Sequence, residues 1–143
     1  MKCDERGQGS VEILFIVLIL AVLFFGAIEL AQAVFLKHAL DVSTEKAARI
    51  LSIDPADYAT AENVVRTEVD GNLLGGEYGS RVRLYLLDAG SMAPITPGDL
   101  ASEAFGYRFW VGAELEWSGS TSSLPAGTLV LSSIHHGIVE RYP

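Results

Sequence analysis

Apolar residues fall along this chain in three successive patterns. From Ile13 to Ile28 they run with no charged residue and almost nothing polar. As a helix these 16 residues span about 24 Å, a little short of what a bilayer core requires. Beyond Glu29 the run resumes as Leu30, Ala31, Ala33, Val34, Phe35 and Leu36, so residues 13–36 supply 24 positions, or about 36 Å. No proline interrupts them, and Gly26 is the only weak helix former inside. The pattern predicts one membrane-spanning helix with some tilt.

The second pattern is helical but amphipathic. Leu36, Leu40, Ser43, Ala47 and Ile50, extended by Leu51, form one stripe at steps of four and three, while Lys37, Asp41, Glu45 and Arg49 line the opposite face. Asp54-Pro55-Ala56-Asp57 reads as a helix start, with Asp54 as N-cap and Pro55 at the first helical position. Tyr58, Ala61, Val65, Val69 and Leu73 then give a second amphipathic helix, ended by Gly75-Gly76.

The third pattern has period two. Val82, Leu84 and Leu86 alternate with Arg81, Arg83 and Tyr85, and Phe109, Val111, Ala113, Leu115 and Trp117 alternate with Arg108, Trp110, Glu114 and Glu116. Residues 128–133 add a third strand and residues 134–141 a fourth, separated from the rest by loops at 90–106 and 118–127. One-sided alternation marks antiparallel strands with one face on a core. The predicted fold class is α+β: a long N-terminal membrane-spanning helix continuing into a second helix, packed on a small antiparallel sheet of three to four strands.

Composition sharpens this picture. The 143 residues are half apolar and carry a net charge of −8. From Lys37 onward eight Lys/Arg face fourteen Asp/Glu, the wrong sign for gripping phosphates, which excludes a nucleic-acid partner. Cys3 is the one cysteine, so no disulfide forms within the chain. No nucleophile motif, phosphate-binding glycine loop or metalloprotease motif is present, and no catalytic residue, cofactor or metal is expected. His135 and His136 point to opposite faces of a strand and cannot share one ion as a neighbouring pair. His38 lies just past the span, and Glu114 and Glu116 read as a solvated strand face.

Two carboxylates stand out against the apolar run. Glu12 sits at its entry and Glu29 near its far side, where a charge is costly unless paired or at an interface. The bland readings are a cytoplasmic flank for Glu12 and the far headgroup level for Glu29. A cleaved secretory signal is one alternative, with Ala31-Gln32-Ala33 as its site, but the n-region is net acidic and Glu29 adjoins the cut. An uncleaved signal anchor is another.

Gly7-Gln8-Gly9-Ser10-Val11-Glu12 resembles a prepilin peptidase site: a glycine after a short hydrophilic leader, then a glutamate at the fifth residue. With Phe25-Gly26-Ala27-Ile28-Glu29-Leu30 and the continuation Ser43-Thr44-Glu45-Lys46-Ala47-Ala48-Arg49, the N-terminal third resembles TadE-like pilin-like proteins of the Tad (tight adherence) apparatus. Ile13 and Leu18 replace the aromatic and the proline that the family often carries, which implies a straighter helix. The resemblance implies a leader over residues 1–7, a transmembrane and assembly helix over 8–36 and an extracytoplasmic head over 37–143. Gly7 and Gln8 would flank the processing cut, and Glu12 and Glu29 would serve assembly. The implied partners are a prepilin peptidase, other pilin-like subunits with their assembly platform, and membrane lipids. The implied location is the inner membrane, N-in and C-out, with a place in an extracellular pilus. A single-pass sensor with a ligand-binding head is the competing reading.

Overall fold

The computed structural model describes residues 5–71, 78–118 and 128–140. Its first element, α1, is a single helix over Glu5–Ile53. The chain divides into two units, Met1–Gln32 and Ala33–Pro143.

In the first unit the helix carries its apolar side chains outward on every side. Residues 13–20 are all exposed, Leu14 to 71%, and the most apolar 18-residue window is not buried within the chain. In water such a surface would be strongly unfavourable; in hydrocarbon it is the solvated state. The helix is long and apolar enough to cross a membrane.

In the second unit, the remainder of α1 joins α2 (Tyr58–Asp70) and a four-stranded antiparallel sheet: β1 (Val82–Asp88), β2 (Pro94–Ile95), β3 (Arg108–Trp117) and β4 (Leu129–Ile138), in the order β2-β1-β3-β4. This is the predicted α+β arrangement. The stripe Leu36, Leu40, Ser43, Ala47 and Leu51 is fully buried, with Ile50 packed at its margin. Its hydroxyls are accommodated by bonding back along the helix. Ser43 and Thr44 donate to Leu40 O at 3.1 and 2.6 Å, and Ser52 donates to Ala48 O at 2.8 Å. The opposite face carries the ion pairs Lys37–Asp41 and Glu45–Arg49.

Helix α2 buries Ala61, Val65 and Val69, and Tyr58 at its start donates its hydroxyl to Leu84 O of β1 at 2.9 Å. Beside its end, the Gly79 N–H donates to Asp70 Oδ1 at 2.6 Å. A Cβ at Gly79 would lie 2.5 Å from Arg66 O, so only glycine permits this approach. From the sheet, Val82, Leu86, Phe109, Val111, Ala113, Leu115, Trp117 and Leu131 complete the core.

Four expectations are corrected. The N-cap of α2 is Asp57, whose carboxylate accepts the Thr60 N–H at 3.3 Å; Asp54 instead turns the chain by accepting from Ala56 N, and Pro55 is buried rather than helical. Helix α2 stops at Asp70 with Gly71 as C-cap, while Leu73, Gly75 and Gly76 lie outside the described residues. The segment 90–106 is not one loop: it holds β2 and a short helix, α3 (Pro97–Ser102), closed by a reciprocal Thr96–Asp99 capping box. Finally, the two strands predicted from residue 128 onward are one strand, β4, and the fourth strand of the sheet is β2. The predicted loop at 118–127 lies, beyond Ser118, outside the described residues.

Candidate functional site

The residues singled out by spacing all lie on α1. Positions 7, 8 and 12 occupy its first turns, and positions 8 and 12 fall one turn apart on the same side. From Glu12 to Glu29 the rise is about 26 Å, and 17 residues turn the second position about 100° from the first. The two carboxylates therefore do not share a face, and no one neighbouring helix meets both head-on.

Their surroundings differ. Glu12 is exposed, as are Val11 and Ile13 beside it. Glu29 is only 9% exposed, and it is engaged in an interaction. That is not the surface of a freely hydrated headgroup-level residue. Nearby, Gln32 Oε1 is buried with no hydrogen-bond partner, and Ala33 is 7% exposed. Gly26 is the converse case: a Cβ built there meets nothing within 4 Å. Packing within this chain does not demand a glycine at that position.

The head offers little convergent chemistry. His135 is half-buried on the α1 side of β4, whereas His136 is exposed and meets Trp110 edge-to-face, ring centroids 5.1 Å apart. Among the described residues no group of three His, Cys, Asp or Glu is arranged to hold a metal. Glu114 and Glu116 are exposed on β3. Asp88, the last residue of β1, is strongly perturbed. Hydrogen bonds from the Ser91 hydroxyl, the Tyr107 hydroxyl and the Ser91 N–H hold its carboxyl down to about 2. Burial, then the bond to Asp88, pushes the Tyr107 hydroxyl up to about 12. This pair ties the hairpin turn to the start of β3 and is structural in character.

One feature escaped the sequence reading. The outward-facing residues of β4, Val130, Ser132, Ile134 and His136, are all exposed. Their signal was available: a strand running from Leu129 to Ile138 with no charge in it.

Comparison with curated proteins and with solved structures returned no match. The family model described as TadE-like protein matches residues 7–49. The match begins at Gly7, takes in Glu12, Gly26 and Glu29, and ends at Arg49 within α1. Roughly a third of this chain, comprising the apolar helix and its amphipathic continuation, is thus similar to the TadE-like family, which suggests a Tad pilus-associated membrane protein.

Proposed function

We propose that this chain is a membrane-anchored, pilin-like structural subunit that takes part in assembling a Tad-type pilus or secretion apparatus after processing by a prepilin peptidase. The observation that carries this reading is the family match beginning at Gly7 and running along a helix whose most apolar window is not buried by any described residue. The proposed organisation is a leader over residues 1–7, a transmembrane and assembly helix over 8–36, and a head over 37–143 outside the cytoplasm. The anchor would sit in the inner membrane, N-in and C-out, until the subunit joins the filament.

The chemistry of processing belongs to the peptidase. A glycine at position 7 lets a membrane-embedded protease approach the scissile backbone. Cleavage would leave Gln8 with a free, positively charged α-amine. On entering an apolar bundle, that amine and a carboxylate are tolerable only as a neutralised, hydrogen-bonded pair. Glu12, exposed on α1, is the proposed counter-charge that would set the stagger between subunits. The open space at Gly26 fits close approach of a second helix there. A sensor anchor would need neither a glycine at position 7 nor a glutamate five residues later. Replacing Gly7 by leucine tests the reading: the variant should remain as a full-length, membrane-inserted precursor, and normal trimming would contradict it.

A further inference from the structure

The apolar run of α1 and the core of the head overlap. Ala33 and Leu36, near the end of that run, are buried and belong to the core that also holds Trp117 and Leu131. The part of the run outside that core is residues 13–32, about 30 Å of helix, which matches the thickness of a bilayer's hydrocarbon. Two contacts fix how β4 lies along α1. Ser52 accepts the Ile138 N–H at its hydroxyl and the Glu140 N–H at its carbonyl, and Asp41 lies beside Ser133 and His135. Between those contacts the helix and the strand each advance about 17 Å, so the two run side by side in the same direction. About 15 Å further back along β4, Leu129 and Val130 reach at least the level of Ala33. Both are exposed there, as are Val34 and Phe35 on the outer side of α1. No Asp, Glu, Lys or Arg occurs in β4.

We propose that this end of the head rests in the headgroup layer of a phospholipid bilayer, with Leu129, Val130, Val34 and Phe35 reaching toward the acyl boundary. Apolar side chains at that depth exchange water for lipid, a favourable transfer. Lipid is the occupant because Val34 and Phe35 continue, along one unbroken helix, the apolar run that is long enough to cross the membrane. The surface is thus an extension of the membrane-spanning one rather than a separate patch. Charge sets the depth. Glu116 pairs with Val130 across the strands, and Arg81, Arg83 and Glu116 line one cleft at this end. Such groups stay hydrated among headgroups and are costly in hydrocarbon, so the head stops at the interface. Arg81 and Arg83 are offset by Glu114 and Glu116, so the surface has no call for anionic lipid. The proposal rests on the reading that α1 spans a membrane and is independent of the pilus reading.

The test uses the full chain in phosphatidylcholine nanodiscs, with Cys3 replaced by serine and one fluorophore-labelled cysteine introduced at a time. Val130, Ile134 and Ile138 form a ruler: they share one side of β4, are 55%, 44% and 39% exposed, and stand about 13 Å apart. Quenching by a nitroxide held just below the lipid headgroups should be at least threefold stronger for Val130→Cys than for Ile138→Cys, with Ile134→Cys between them. Aqueous iodide should give the reverse order. Leu23→Cys, in the middle of the apolar run, should be quenched by a nitroxide at the acyl-chain end and reports on insertion. Equal quenching along the ruler, with Leu23→Cys quenched, would overturn the proposal and leave the membrane-spanning reading standing. An unquenched Leu23→Cys would overturn both.

Discussion

Replacing Glu12 by glutamine should separate assembly from folding. The side chain is exposed and lies outside the buried stripe that starts at Ala33, so its loss should move the chain's own stability by no more than about 0.5 kcal/mol. In an assembled bundle it would be one half of a desolvated pair with a neighbour's α-amine. Removing one partner leaves a buried charge uncompensated, at a cost of about 3–5 kcal/mol. That corresponds to a loss of occupancy of roughly two hundred to several thousand fold. Leu40→Ala supplies the opposite case, because Leu40 is fully buried in the head and its truncation should cost about 2–5 kcal/mol of folding stability. The assay pairs thermal unfolding in detergent with co-purification from membranes that also hold a tagged wild-type chain. Glu12→Gln should unfold like wild type and fail to co-purify. Disappearance of the Glu12→Gln chain itself, or undiminished co-purification, would refute the reasoning.

Three further outcomes follow from the same geometry. The Cβ of Gly26→Ala meets nothing within 4 Å, so the thermal midpoint should hold while co-purification falls; a lowered midpoint would show that the glycine serves folding. Glu29→Gln should lower stability by about 1–3 kcal/mol, as expected for a buried and engaged carboxylate, and an unchanged unfolding midpoint would contradict this. Asp88 is held down to about 2 in the fold, against about 3.9 in an unfolded chain. The stability it lends is therefore complete above about pH 4 and is lost as pH falls toward about 2. Unfolding midpoints of Asp88→Asn and the parent chain should converge across that interval, and a constant gap between them would count against the assignment.

How much of this was legible in the sequence varied with the length of the periodic signal. The stripe from Leu36 to Leu51 and the alternation of Phe109 to Trp117 run long enough to fix both element type and buried face, and the structure buries those residues. Strand β2 is two residues long and has no period to read; only its pairing with Leu86 and Leu87 makes it a strand. The capping box of α3 was written in Thr96, Pro97 and Asp99, but the prolines and Gly98 suggested an unstructured loop. Splitting β4 in two was an error of the opposite kind, since no turn residue separates Ser133 from Ile134. At the head of α2, two aspartates three residues apart both suit an N-cap. Packing decided between them by burying Pro55 in a turn. For the candidate site, spacing alone placed Glu12 and Glu29 on one helix, and the structure carries that helix back through Gly7. The burial of Glu29 was not readable, because it depends on tertiary neighbours rather than on helix period.

The central claim, that residues 1–7 are a leader removed before assembly, is tested most directly by the intact mass of the chain recovered from the membranes of cells that contain the peptidase. The account predicts a chain that begins at Gln8 and lacks Cys3, and therefore contains no cysteine. A chain beginning at Met1 under those conditions, or one cut after Ala33, would contradict it.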